Sequence, residues 1–478
     1  MATKNSKVGL TNEQAKKLVD NLLETAEDNR ATREKTFREN FSFALDGDQW
    51  ETDEIQNEKA PQLEFNQTED YIEIQSAKLI PINQNKGIME IGVKSYEKEN
   101  KEKFEKAILD TYAENEMVMK ISEQQQNFFY GGAACLYFPQ DPLSKKTKII
   151  SINPTKVLLG WEGSKLTQFA FVDEISLMTA RENKKNNWLR DMIKNVLGDN
   201  KEITQKFKKV KRITYWDTEH QIILFEDKYT KVTRNEKGEV PAVWIPNQPK
   251  PHLHEGRSDV QKLKNLDKEY NMRTSDMGQR VEENTKPWLA TFSDSKIHLD
   301  RNDRGHLPLE KDDDAKFLTV PEAIENIKYT ANIAERMQMK MGINDAVLGK
   351  IKSNISALAM AYYFSPLADK VAKKRIYWDK AFRDMNSAIL KNNFIKGNFR
   401  TDPIYQPAMV IDEAEKVRNT LLLLNNRIIS YVDAIDELRG SENAEEKIKE
   451  IKKEISELSE IDNFLQVKKQ EPSKLEVN

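Results

Sequence analysis

Between residues 258 and 342 apolar residues return twice at helical spacing with a turn-rich break between them, and this alternation limits the folds open to the chain more than any other feature. Val260, Leu263, Leu266, Tyr270, Met277 and Val281 keep to one stripe of a 3.6-residue period. Ser258, with Gln261 three residues on, has the form of a capping box, in which side chains satisfy the free backbone donors of a first turn. The spacing predicts a long amphipathic helix to about residue 284. Pro287, the apolar run 288–292, Gly305, Pro308 and the acidic run 312–314 mark a compact insertion of strands and turns. Thr319 and Glu322 form a second capping box, Pro321 is tolerated in the first turn, and Ile324, Ile327, Ala331, Ala334, Met337 and Met341 carry a second helix to Gly342. Residues 343–354, with Gly349 and Ser353 and little apolar period, read as a loop. A third, very long helix begins near Ile355, with Leu367, Val371, Trp378, Phe382, Met385 and Ile389 as its stripe. Its interior Pro366 removes a backbone donor and crowds the preceding turn, which predicts a kink.

The first half is mixed. Leu18, Leu22 and Ala26 recur at spacing four within a helical stretch from residue 11 to about 43, read as an N-terminal arm. Helices are expected over 66–79 and 101–130, and short strands over 133–138, 147–152 and 169–175. Segments 212–216 and 221–226 make a hairpin pattern around 217–220, and 243–245 adds a strand before a proline-rich loop at 246–251. Beyond the third helix come shorter helices, with Val417, Leu421, Leu424, Ser430 and Ile435 running to Gly440. A final helix with Ile448, Ile451, Ile455 and Leu458 has the spacing that suits packing on a partner helix, and the tail after Gln466 is expected to be disordered. The fold class expected is α+β, mainly helical, without internal repeats.

Composition narrows the function classes. The 478 residues allow two to four folding units, and 38% hydrophobic residues with regular periodicity exclude a wholly disordered chain. A net charge of -3 supplies no global attraction to nucleic acid, so any contact with DNA must come from locally placed lysines. The single cysteine, Cys135, sits in an apolar run, which rules out an intramolecular disulfide and argues against a cysteine metal site. The first residues, MATKNSKVGLTNEQ, lack a signal-peptide core, and no stretch approaches eighteen uninterrupted apolar residues, so a soluble chain made in a cytoplasm, with no membrane partner, is expected.

No glycine-rich phosphate loop, no HExxH and no paired carboxylates beside a nucleophile occur, so neither an enzyme nor a cofactor is expected. Asp312, Asp313 and Asp314 are consecutive and do not converge on one ion, which makes them a solvated edge. His252 and His254 lack a second ligand pair for zinc. The basic run 206–212 alternates around Phe207 and Val210 and fits an exposed strand edge guarded by lysines, with a nucleic-acid patch as the other reading.

The order of these elements resembles that of the portal proteins of tailed bacteriophages, and short motifs add to the resemblance. Asp46-Gly47-Asp48-Gln49-Trp50 looks like the signature after the N-terminal arm of many portals, and Gly131-Gly132-Ala133-Ala134 with Asn153-Pro154 looks like their wing segment. Gly256-Arg257-Ser258 with Leu263, Leu266, Tyr270, Asn271 and Ser275 is similar to the start of their stem helix. Ser353 to Leu358, followed by Pro366-Leu367, resembles the segment after their channel loop, and Asp412, Ile429-Ser430 and the glutamate-rich stretch from Glu442 look like their crown. One departure is Ala357, where many relatives have a glycine, which bears on the loop geometry.

The resemblance implies an arm at 1–44, an α+β wing at 45–255, stem helices at 256–284 and 321–342, and a β-rich clip at 285–320. It further implies a tunnel loop at 343–355, a long kinked helix at 356–395, a helical crown at 396–466 and a disordered tail at 467–478. It implies a ring of twelve copies at one capsid vertex of a virion assembled in the host cytoplasm. Double-stranded DNA would pass through it during packaging and ejection. Terminase, the major capsid protein, scaffold and head-tail adaptor proteins would be its partners. Lys350, Lys352, Ser353 and Asn354 would then face DNA as rings of charge and hydrogen-bonding groups, although by themselves the lysines read as solvated loop residues. Trp288, Asp312, Asp313 and Asp314 would lie at the clip interface, where Trp288 reads equally as a core tryptophan. The competing readings are a helical scaffold or adaptor of a virion assembly without a DNA channel, and a metal-dependent nuclease built on scattered carboxylates.

Overall fold

The computed structural model describes residues 10–47, 49–50, 63–83, 88–89, 91–95, 101–141, 144–176, 209–225, 229–285, 288–292, 314–318, 324–350, 357–393, 399–405, 413–431, 433–434, 438 and 451–453. The chain forms two compact units, Met1–Lys352 with Tyr363–Ala408, and Ser353–Tyr362 with Met409–Asn478. The class is mixed α+β, mainly helical.

In the first unit, helix α1 (Asn12–Leu45) starts from a full capping box: the Gln14 N–H donates to Thr11 Oγ1, and the Thr11 N–H donates to Gln14 Oε1. Ala15, Val19, Leu22 and Ala26 fall on one stripe and are buried against Leu158, Ala170, Ile213, Tyr215 and Leu224. The segment expected as an arm therefore lies along a sheet, and its far end, with Phe43 and Ala44, enters the main core.

Helix α2 (Gln67–Leu79) is followed by strands β1 (Ile82–Asn83), β2 (Ile88–Met89) and β3 (Ile91–Ser95). The single helix expected over 101–130 is instead α3 (Lys101–Glu114), α4 (Met117–Gln126) and a π turn, Asn127–Gly131. The break has a tertiary cause. Asn115 donates from Nδ2 to the Thr111 and Thr147 carbonyls and accepts from the Ile149 N–H, while Glu116 takes the left-handed conformation (φ 50°).

Strand β4 (Ala133–Tyr137) is buried on both faces and lies between β5 (Ile150–Ser151) and a later strand, which explains its unbroken apolar run. Strands β6 (Val157–Glu162), β7 (Lys165–Ser176), β8 (Lys209–Trp216), β9 (His220–Phe225) and β10 (Tyr229–Arg234) form an antiparallel sheet in the order β10-β9-β8-β7-β6. The basic run expected at an edge enters the described residues only at 209–212, on β8, the central strand; there Arg212 pairs with both β7 and β9, and residues 209–211 pair with β7. Its charges are tolerated there because the register sets Lys211 opposite Glu174 and Arg212 opposite Asp173, and Arg212 Nε donates to Asp173 at 2.9 Å. Strand β11 (Ala242–Pro246) completes the sheet with β4 and β5.

Helix α5 (Val260–Thr285), strands β12 (Trp288–Phe292) and β13 (Asp314–Leu318), and helix α6 (Ile324–Met341) follow the expected order, with β12 and β13 antiparallel. The second capping box, Thr319 with Glu322, lies outside the described residues. Helix α7 (Ala357–Asn393) continues through Pro366, and its stripe of Leu367, Val371, Trp378, Phe382, Met385 and Ile389 is buried. Strand β14 (Thr401–Tyr405) corrects the all-helical reading of 396–466. It pairs with β3, some three hundred residues earlier, and is held to α7 by Arg375 over the Tyr405 ring (4.4 Å) and by Arg383 with Asp402 (2.5 Å).

In the second unit, helix α8 (Glu413–Asn425) leaves Val417, Leu421 and Leu422 exposed. Ser430 and Asp433 exchange hydrogen bonds that cap the next turn. Of the final helix, only residues 451–453 are described, and they are helical. The tail lies outside the described residues.

Candidate functional site

The residues singled out for DNA and clip contact fall on two elements. Lys350 is exposed and ends a turn closed by its own N–H to the Asp345 carbonyl (2.8 Å), with Gly349 in the left-handed region (φ 70°). Ile343 and Ala346 are buried, and Asn344 donates to the Tyr363 carbonyl of α7 (2.6 Å) and accepts from the Val347 N–H, so this loop is fastened at its start. Lys352, Ser353 and Asn354 lie outside the described residues. Trp288 opens β12 and Asp314 opens β13. Because the pairing is antiparallel, with Trp288 opposite Leu318 and Phe292 opposite Asp314, the two stand at opposite ends of the ladder. Asp312 and Asp313 lie outside the described residues.

Two of the motifs carrying the resemblance, Gly131-Gly132 and Gly256-Arg257-Ser258, meet at the base of α5. A Cβ on Gly256 would lie 1.9 Å from the Gly132 carbonyl oxygen, and one on Gly132, at φ 91°, would lie 2.9 Å from the Ser258 nitrogen. Glycine at both positions lets two backbones touch. The contact is fixed by the Asn247 N–H to the Gly132 carbonyl (2.8 Å), the Arg257 N–H to the Asn247 carbonyl (2.8 Å), and the Asp259 N–H to the Phe129 carbonyl (2.9 Å). Ser258 does not form the expected pair with Gln261. Its hydroxyl accepts from the Val260 N–H and donates to the Phe129 carbonyl, because the helix begins at Val260 and Gln261 is its second residue.

Higher on α5, Asp267, Asn271 and Ser275 repeat at spacing four and are buried although polar. Asp267 satisfies the first turn of α2, and the other two satisfy backbone of the segment before it. Asp267 accepts from the Thr68 N–H (2.9 Å) and hydroxyl, Asn271 accepts from the Phe65 N–H (3.2 Å), and Ser275 accepts from the Leu63 N–H (3.1 Å). Asn271 also donates to Gln49 (2.5 Å), which donates to Asn66 (2.8 Å), which donates to the Ala44 carbonyl. Gln49 and Asn271, more than two hundred residues apart in the chain, are thus one network.

The residue just before α5 belongs to a buried ion pair that sequence reasoning missed. Lys374 of α7 and Asp259 are 1% and 2% exposed, and the Lys374 ammonium bonds to Asp259 and to Gln75 of α2 and lies 4.0 Å from the centre of the Phe129 ring. Asp259 also accepts from Lys262 (2.5 Å) and Asn247 (2.7 Å). Burial alone would raise the Asp259 pKa, but Lys374 and Lys262 together hold it below the usual carboxylate range. Burial lowers the Lys374 pKa, against the pull of Asp259. Asp267 lacks a cation and is shifted the other way: burial raises its pKa, opposed by the hydrogen bonds from Thr68.

The end of α6 is tied to the same place. Gln75 donates to the Met341 carbonyl (2.9 Å), Lys370 of α7 donates to the Met339 carbonyl (3.0 Å) and to the Lys340 carbonyl, and Lys340 donates to the Lys262 carbonyl (2.8 Å). A lysine at position 374, within the apolar stripe between Val371 and Trp378, was the legible sign of a buried charge.

His254 stacks on Trp161 (centroids 4.0 Å apart), and Cys135 is buried, which pushes its thiol up to about 12. Among the described residues no cluster of three His, Cys, Asp or Glu is placed to hold a metal, and no helix is long and apolar enough to cross a membrane. The arrangement is mechanical. It fixes one end of each of α5 and α6 to α7.

In sequence, the family described as phage portal protein, SPP1 Gp6-like, matches residues 54–460. None of the curated proteins matches significantly. Among solved structures, a chain in the neck of an empty GTA particle computed with C6 symmetry has a TM-score of 0.46 at 11% identity, covering 77% of this chain and 88% of that one. A chain in the virion of a native gene transfer agent (GTA) particle has a TM-score of 0.42 at 11% identity, with 77% and 88% covered. One in the neck of the native particle computed with C12 symmetry has a TM-score of 0.45 at 11% identity, with 78% and 90% covered.

Proposed function

The chain belongs to the SPP1 Gp6-like phage portal protein family, a structural and non-enzymatic component of the virion, and from that premise we propose that its copies close into a ring of twelve around a channel for double-stranded DNA. The ring sits at one capsid vertex, where terminase, and afterwards head-tail adaptor proteins, dock, and where it meets the major capsid protein and scaffold. The observation that carries this reading is the family match across 54–460. The order helix, antiparallel ladder, helix supports it, as does the anchoring of both helices on α7.

In this reading α5 and α6 are the stem, the ladder of β12 and β13 with its connecting residues is the clip, residues 343–355 are the tunnel loop, and α7 is the long helix behind it. Strand β14 goes with the wing, which leaves the crown to the second unit. Lys350 and Lys352, repeated by the symmetry, present rings of ammonium groups to phosphate and so grip DNA without reading its sequence, with Ser353 and Asn354 beside them. Trp288 and Asp312, Asp313 and Asp314 meet the docking partners.

Negative-stain electron microscopy of the purified chain tests the reading. Rings with a central hole and about twelve radial lobes are expected; monomers or open filaments across several salt concentrations overturn it and favour a scaffold or adaptor. Charge reversal at Lys350 and Lys352 is then expected to lower the yield of packaged DNA in a packaging assay while ring formation persists.

A further inference from the structure

A cleft of about 660 Å³ opens in the first unit between α7 and the segment that joins β10 to β11. The α7 wall is a single face running from Tyr377 to Lys391, with small residues at Ala381, Ser387 and Ala388 that leave the groove open. At 1.5 Å per residue this face is about 21 Å long, room for about six residues of extended chain. Trp161, Leu166, Trp216, Val240 and Tyr377 line the cleft and are only half-buried, so apolar surface stays in contact with water.

The charge around that surface is one-sided. Lys145, Lys165, Arg234, Lys237 and Lys380 are exposed and form no ion pair among the described residues. Glu239 is taken up by Lys391 (2.7 Å), which leaves Glu236 and Asp384 as the unpaired acids. The lining sets six cations against three carboxylates, with Asp384 in the field of Lys380 and Glu239 in that of Lys391 and Lys237, and this excess over an aromatic and aliphatic floor selects an anionic ligand that also has apolar side chains to bury. A nucleic-acid backbone fits less well, because it carries a phosphate at every nucleotide and so cannot avoid Glu236, Glu239 and Asp384, whereas a peptide can set neutral apolar side chains beside them and over Leu166 and Val240.

We propose that this cleft is a docking groove for an acidic linear segment of a partner protein, one that sets an aromatic or branched aliphatic side chain among its carboxylates. The site is separate from the channel loop and the clip, and it holds whether or not the ring reading does.

Fluorescence anisotropy on the full chain tests it, with a labelled ten-residue peptide of Glu and Asp carrying one Phe and one Leu. Three probes are compared with it: the same peptide with Lys for the acids, the same with Ala for Phe and Leu, and a single-stranded oligonucleotide. The acidic peptide with Phe and Leu is expected to bind at least about tenfold more tightly than each of these, and Lys237→Glu with Lys380→Glu to weaken it by about tenfold. Ser387→Trp, which fills the groove, is expected to abolish binding with the charges left in place. Thermal denaturation checks that each variant folds, and the charge-reversed pair lies on exposed positions. The proposal fails if the peptide does not bind by about 1 mM, if the variants bind it unchanged, or if the oligonucleotide binds as well and is lost with the same variants. It fails too if the charge reversal alters only self-association, which makes the groove a contact between copies.

Discussion

Two carboxylates eight residues apart, one just before α5 and one within it, are both buried and are held in opposite electrostatic states. Asp259, just before the first turn, faces Lys374 and Lys262 and is kept ionised; Asp267, about two turns on, faces the Thr68 hydroxyl and the backbone N–H groups of Gln67 and Thr68, and its charge is disfavoured. The first site joins the start of α5 to α7 through charge, the second joins α5 to the first turn of α2 through hydrogen bonds. A buried charge pair fails badly when halved, whereas a hydrogen-bonded rung costs only its own bonds and the desolvation of what it leaves behind.

The comparison breaks most sharply at Lys374. Lys374→Met leaves Asp259 without its buried counter-ion and is expected to cost about 3–5 kcal/mol in urea unfolding. The double variant with Asp259→Leu should cost clearly less than the sum of the two single changes, and strict additivity would mean that the pair is not coupled. Next comes Gly132→Ala, at φ 91° and facing the Ser258 nitrogen, with an expected loss of about 1–3 kcal/mol. Asn271→Ala removes the acceptor for the Phe65 N–H and the donor to Gln49, for an expected loss of about 1–2 kcal/mol measured the same way.

Smaller, but diagnostic, is the pH dependence. The Asp259 pKa is lowered in the folded chain, so its contribution is present above the ordinary value of 3.8 and is lost as pH falls through the folded value. The Asp267 pKa is raised, so folding holds a proton that the unfolded chain has released, and its contribution falls as pH rises from 3.8 through the folded value. Melting temperatures between pH 2 and 7 should therefore show a shallower acid loss in Asp259→Asn and a steeper one in Asp267→Asn. Matching slopes in the two variants would contradict the opposite states. The smallest effect is kinetic: Cys135, buried and with its thiol pushed up to about 12, should react with a thiol reagent only as fast as the chain opens.

Much of the frame was legible. The stripe of α7, the hairpin of β8 and β9, and the Thr11 end of α1 all follow from local period and turn chemistry, whereas Val281 of α5 and Ile327 and Ala331 of α6, expected on apolar stripes, are exposed, and Thr330 and Ile333 are buried on α6 instead. The motif residues Gln49, Gly132, Gly256, Asn271 and Ser275 were also marked beforehand, but not as one another's neighbours. What could not be read was pairing at a distance. A basic strand looks the same at an edge or in the centre until Asp173 and Glu174 are brought opposite it, and the pattern of residues 401–405 reveals no strand without β3 to receive it. The continuous pattern across 101–130 gave no sign that Asn115 would be recruited by residues 147–149 and break the helix.

By itself, then, the sequence determined most of the helical stretches and the apolar faces of α1 and α7, because these depend on neighbours three or four residues away. Only the tertiary structure decided that Asp259 and Lys374, 115 residues apart, share one water-excluded site, that two glycines touch through their backbones, and that a cationic cleft opens along α7. Burial turns a solvated charge into a structural one, and burial is a property of what the rest of the chain places around a residue.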